Sequence, residues 1–367
     1  MDKDYTLRSY IPISGPGLRE PCRGDESDFR VSLGFTPLWY QERLGIDFSR
    51  RWHCDPVYRY ESLMAMKKYL TELFPSIEHF RPSVHDGVDP DCATISGVYG
   101  ALLIPGLYKP DIHYFAGNWP SLNTSEIMPK EALSDLAPFD PETNPLFQDL
   151  WRQMDIIEKR WGMISGYIHG YQGVINTAFR LRGQNIFLDI IEDPDFVRQL
   201  FGHICETILC VNRMIQERQR KSGFEIDLCT SSNCVVNMIS PEAYQTFVLP
   251  HDQRLSQAFG RYGIHTCNWN ATPYIEEMRR IKKVGYIDMG MDTDLERMRR
   301  TFPDARRGVV YSPTKVCYSN LDEIVRDFAY IHEALGPCDI ILADIEANVP
   351  TEKVQAIVRA ADRIGRI

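Results

Sequence analysis

GIHTCNWNATPYIEEMRRIKKVGYIDM, residues 263–289, is the stretch on which the fold turns. Residues 263–267 read as a short strand that ends in the polar Asn268-Trp269-Asn270. Thr272-Pro273 then opens a helix, because proline at the first helical position gives up an N–H that has no partner there anyway. Residues 284–289 are the next strand. Strand, helix and strand in that order make a parallel βαβ unit. The same rhythm runs outward in both directions, with strand-like segments at 163–168, 224–229, 308–311 and 339–343. Helices opened by Asp193-Pro194, Ser240-Pro241, Ser319-Asn320 and Thr351-Glu352 lie between or after them. Six strands are thus readable from residue 163 onward, and residues 31–115 have room for one or two more.

Eight such units close a barrel. An open doubly wound sheet is the competing architecture, and it favours a Gly-x-Gly-x-x-Gly turn after its first strand. Gly166, Gly170 and Gly173 are spaced differently. The expected class is therefore α/β, a (β/α)8 TIM-type barrel over residues 35–367. It follows an irregular N-terminal extension, residues 1–34, carrying Pro12, Gly15, Pro16, Gly17, Pro21 and Gly24. Before the repeating part, residues 56–74 and 146–161 have helical spacing, and 93–147 form a long, weakly patterned region that opens with a strand-like 93–99.

Lys and Arg number 41 against 50 Asp and Glu, a net charge of −9, which argues against a nucleic-acid surface. No apolar run is long enough to span a membrane, and residues 1–8 contain no signal-peptide core. The 10 cysteines lack the short regular spacings of a disulfide framework. Together these features lead us to expect a cytoplasmic protein with neither membrane nor nucleic-acid partners. The irregular arm suits a homodimer contact.

In a barrel the chemistry sits where strands end. That rule selects His169 and Tyr171, Asp227, Asn233, His265 and Cys267, Asp288, Asp344 and Glu346. Residues i and i+2 of a strand share a face, so His265 and Cys267 would project together. Imidazole and thiolate are ordinary zinc ligands. By position Glu346 is the first candidate for a third ligand, with Asp344 and Cys234 as alternatives. Asp227 and Asp288 are read as acid/base groups or as supports for a metal-bound His, and Asn233 joins them as a polar strand-end group. His113 and Trp119 in the long loop, His169, Tyr171 and Trp269 are the expected substrate contacts.

Five segments from about residue 162 onward resemble the uroporphyrinogen decarboxylase superfamily. They are residues 166–183, Asp193-Pro194-Asp195-Phe196-Val197, Ser240-Pro241-Glu242 through Pro250, Ile264-His265-Thr266-Cys267, and Pro350 to Val354. The resemblance implies the (β/α)8 barrel. It also offers two chemistries. The decarboxylases hold propionates with an N-terminal Arg-Gln-Ala-Gly-Arg, which is absent here; residues 35–43 stand in its place. The corrinoid-linked methyltransferases use zinc on a His-x-Cys pair and a distant Cys. His265 and Cys267 match the pair, but residues 343–348 carry Asp344 and Glu346 where that Cys would fall. The resemblance thus implies zinc-dependent methyl transfer from a small methylated donor to a corrinoid protein or a thiol. A cofactor-free decarboxylase or lyase acting on a tetrapyrrole or other polycarboxylate, and a non-catalytic ligand-binding barrel, are the alternatives.

Overall fold

A computed structural model describes residues 28–84, 86–123, 126–168 and 173–365. Among these the strands are β1 Phe29–Phe35, β2 Ile112–Phe115, β3 Asn118–Leu122, β4 Leu228–Ser232, β5 Arg261–His265, β6 Val284–Met289, β7 Arg306–Tyr311 and β8 Cys338–Ile345. Six of them form one parallel sheet in the order β1-β8-β7-β6-β5-β4, and β2 and β3 form a separate antiparallel hairpin. Every residue of β4 and of β7 is buried, as expected of parallel strands covered on both faces by crossover connections.

The crossovers start where the sequence marks them. Asp193 accepts a hydrogen bond from the Phe196 N–H at the head of the helix Pro194–Lys221. Asn320 and Glu323 form a reciprocal capping box at the head of Leu321–Leu335. The long helix buries Phe196, Val197, Leu200, Phe201, Ile204, Ile208, Val211 and Ile215, the i, i+3, i+4 stripe that docks a helix on a sheet. No helix among the described residues is long and apolar enough to cross a membrane.

The sequence boundary at residue 34 is corrected. Residues 29–34 belong to the sheet: β1 pairs with β8 from Phe29↔Cys338 to Phe35↔Ile345. Phe29, Val31, Leu33 and Phe35 are all buried, an alternation hidden by the Pro- and Gly-rich residues before it. Two other expected strands, 93–99 and 163–168, are reduced to one parallel bridge between Thr94 and Ser165. Ile95 N–H donates to the Ser165 carbonyl, and Ser165 N–H to the Ala93 carbonyl, each at 3.1 Å. Gly97 and Gly166 have φ of 75° and 96° and turn the chain out of the extended conformation at once.

Candidate metal centre

β4 and β5 run side by side with Ser232 opposite His265, so the residues just past both strand ends meet. Cys234, His265 and Cys267 each offer a ligand atom there, and the three atoms lie within 4.8 Å of one another. Zinc bonds of ~2.0–2.3 Å at tetrahedral angles would set such atoms ~3.5 Å apart, so the three need to close by no more than on the order of 1 Å to hold the ion. Two sulfurs and an imidazole also suit its borderline-soft character.

The pair is not presented as a flat strand would present it. β5 ends at His265, and Cys267 has a left-handed φ of 65°. Thr266 is buried between them, its N–H donating to Asp288 Oδ1 at 2.9 Å and its hydroxyl to the Asp288 carbonyl at 2.7 Å. That turn, rather than strand alternation, places Cys267 beside His265.

Asp288, paired with His265 across β5 and β6, is buried and takes His265 Nδ1 at 2.7 Å on Oδ2. The Tyr286 hydroxyl donates to the same oxygen at 2.9 Å. With Nδ1 engaged, Nε2 is the nitrogen left for a ligand, the carboxylate support usual for a metal-binding His. Burial opposes a charged imidazole, yet Asp288 and Cys234 together raise His265 well above its ordinary pKa. A hydrogen bond from Cys234 draws the Cys267 thiol down to about 4 against its burial, with His265 assisting. That same bond, with burial, pushes Cys234 up.

The Cys234 turn is fixed from several sides. Asn233 N–H donates to the His265 carbonyl at 2.7 Å, and Val235 N–H to Asn176 Oδ1 at 3.2 Å. Gly173, at the head of the helix Val174–Arg182, sits so close that an added Cβ would lie 2.4 Å from the Ser232 carbonyl oxygen.

The remaining sequence candidates separate. Asp344, at the end of β8, is left-handed with φ of 52°, and its Oδ1 is buried without a hydrogen-bond partner. Burial raises its carboxyl above the usual range, partly offset by a hydrogen bond from Trp119, and Cys267 and His265 act on it electrostatically. Trp119 and Asp344 therefore belong to the same neighbourhood as the cluster. Trp269, in the loop after Cys267, packs edge-on to Tyr274 with its Nε1 buried and unpartnered. Glu346 is exposed and is not one of the clustered ligands; Cys234 stands in that place. The β8 chain turns at Asp344, so position after the strand alone did not show where the Glu346 side chain would lie. Asp227 is exposed just before β4, at the end of the sheet away from His265, because β4 begins four residues later than the sequence pattern suggests. His113 is exposed beside Asp111 at 3.5 Å on the outer face of the hairpin. Asn233 is buried, and its Nδ2 is committed to Asp252 at 2.9 Å. His169 and Tyr171 lie outside the described residues.

No protein-family model matches the chain, and no curated protein sequence does. Among solved structures it is similar to a methyltransferase from Methanosarcina mazei, with a TM-score of 0.65 over 92% of this chain and 94% of that one. The two are 16% identical, so the likeness is one of fold. The chain thus has a methyltransferase-like α/β fold whose parallel strands end in a Cys/His/Cys cluster.

Proposed function

We propose that this protein is a zinc-dependent methyltransferase built on a (β/α)8 barrel, with Cys234, His265 and Cys267 as its metal ligands. The observation that carries the reading is the convergence of those three ligand atoms within 4.8 Å at the ends of β4 and β5. Support for the barrel comes from the two sheet edges, β1 and β4. The Thr94–Ser165 bridge falls between them in sequence, and its two segments would be the short strands that eight-fold closure needs. Support for methyl transfer comes from the fold shared with the M. mazei protein and from the His-x-Cys pair.

Zinc held by thiolates would supply Lewis acidity, holding an incoming thiol as its thiolate near neutral pH, ready to attack a methyl group. The chain's own residues do the rest. Asp288 fixes the tautomer of His265. The Asp344 carboxyl, near enough to Cys267 and His265 to interact with them electrostatically and with one buried oxygen unpartnered, would accept a hydrogen bond from substrate, with Trp119 bonded beside it. The partners in this reading are a small methylated donor and a thiol or corrinoid-protein acceptor. A decarboxylase acting on a polycarboxylate would need free arginines at the strand ends. Arg182 is paired with Asp189 at 2.8 Å, and Arg43 donates to the Trp39 and Ala347 carbonyls.

The test is a labelled-methyl assay across methylated amines, thiols and alcohols, with a free thiol and a methyl-accepting corrinoid as acceptors. Transfer by the wild type that disappears in Cys234→Ala and His265→Ala supports the reading. Transfer that persists in both contradicts it.

A further inference from the structure

Behind the cluster lies a buried polar hub that the proposed chemistry does not itself use. Asp252 is fully buried in the helix Leu249–Ala258, ten residues or more from the ligands in either direction. Its Oδ2 accepts from Asn233 Nδ2 and from the Tyr244 hydroxyl, each at 2.9 Å. Its Oδ1 accepts from the Tyr262 hydroxyl at 2.9 Å, and Ser231 closes on the same phenol. A π-helical turn, Tyr244–Val248, immediately precedes this helix, and Tyr244 is its first residue. Such turns insert a residue into the helical register and recur at functional sites.

We infer that Asp252 is a positioning residue for the metal centre, acting through Asn233 to hold Cys234 where it meets His265 and Cys267. The inference rests on the ligand assignment above. Four observations bear on it. Asn233 is the residue before Cys234, it is itself buried, its N–H binds the carbonyl of the ligand His265, and its amide is oriented by Asp252. Two other hub members come from the elements that carry the site: Ser231 from β4 and Tyr262 from β5. A buried carboxylate among apolar helices is costly unless its lone pairs are taken, and here three donors take them. The hub thus ties β4, β5 and the helix behind them into one frame. Cys234 follows Asn233 directly and inherits that constraint. The Cys234 ligand is not at the β8 end that the family resemblance points to, so its support has to be built from β4, β5 and the helix packed on them.

The test compares Asp252→Ala, Asp252→Asn and Asn233→Ala with the wild type. The readouts are zinc per chain, the thiolate-to-cobalt charge-transfer band of the Co(II)-substituted protein, and the iodoacetamide alkylation rate of Cys234 in metal-free protein. Asp252→Ala is expected to fold, to lose about 10-fold or more in zinc affinity, to lose roughly half of the charge-transfer intensity as one of two thiolates leaves, and to expose Cys234 to alkylation. Asp252→Asn is expected to rescue all three, because its amide oxygen can occupy the Oδ2 position and keep Asn233 and Tyr244 bound. Asp252→Ala with wild-type zinc affinity, cobalt spectrum and alkylation, and only a lower Tm, would overturn the inference. Should Asp252→Ala fail to fold, Asn233→Ala cuts the same link while leaving Asp252 two donors, and full retention of both thiolates there overturns it equally. A separate Cys234→Ser variant distinguishes the two claims. If it keeps zinc, the ligand assignment fails and the inference with it. If it loses zinc while Asp252→Ala does not, only the inference fails.

Discussion

Replacing Asp288 with Asn probes the support of the metal-binding His in the most controlled way, because the two side chains have the same shape. Asp288 accepts three hydrogen bonds near the ligand: His265 Nδ1 at 2.7 Å and Tyr286 OH at 2.9 Å on Oδ2, and Thr266 N–H at 2.9 Å on Oδ1. An amide keeps one acceptor and turns the other into a donor. With its oxygen toward His265, the new NH2 faces the Thr266 N–H, and a buried donor loses its partner. With its oxygen toward Thr266, the NH2 faces Nδ1, so the imidazole must carry its proton on Nε2 and present the wrong nitrogen to the cluster. The first orientation leaves a buried donor unpaired and the second forces the tautomer that cannot ligate through Nε2, a penalty in either case of about 1–3 kcal/mol. That magnitude corresponds to roughly 5- to 150-fold in affinity, which brackets the ~10- to 100-fold usual on losing a carboxylate behind a ligating His. The assay is a competition titration of zinc against a chromophoric chelator, wild type beside Asp288→Asn, with near-UV circular dichroism confirming the fold. A variant that binds zinc within twofold of wild type would refute the reasoning.

Gly173→Ala places a Cβ 2.4 Å from a backbone oxygen and 3.0 Å from Asn233 Oδ1, so the Ser232–Cys234 turn must shift; a loss of about 1–3 kcal/mol and weakened zinc binding are expected from denaturant unfolding and chelator competition. Burial, with Arg59 beside it, lowers His53 to about 3. The unfolded chain therefore takes up a proton that the folded chain refuses between about pH 6.5 and 3, and stability is full above that window and falls as pH drops through it; His53→Gln should flatten this slope in urea unfolding at a series of pH values. Asp339 is buried against Arg30 and Arg306 in β1 and β7, and removing one partner of such a set costs about 3–5 kcal/mol; Asp339→Ala should lower the unfolding midpoint accordingly.

The sheet was legible in the sequence wherever strands are long and apolar. β5 to β8 fall within two residues of the reading at most of their ends, because both faces of these strands are covered and little in them alternates. The first strand was hidden because its apolar residues alternate with Arg30, Ser32 and Gly34 directly after a Pro- and Gly-rich stretch. The segments at 93–99 and 163–168 carry strand composition but are cut short by left-handed glycines, a backbone property that composition does not reveal. In the site, His265 and Cys267 were readable from spacing, although the turn that joins them is not the strand geometry their spacing suggests. Cys234 was visible as one of three alternatives. Its selection depends on the β4–β5 register and on side chains from distant helices, which no local pattern encodes. Asp252 was invisible for the same reason: a lone Asp inside an amphipathic helix looks like surface until the fold buries it.

The most direct test of the account is the metal content of the purified protein by elemental analysis, comparing wild type with Cys234→Ala, His265→Ala, Cys267→Ala and Glu346→Ala. The account predicts about one zinc per chain in the wild type, lost in the first three variants and kept in Glu346→Ala. A zinc that survives loss of Cys234 but disappears with Glu346, or a wild type that binds no zinc when supplied with it, would contradict the assignment of the centre.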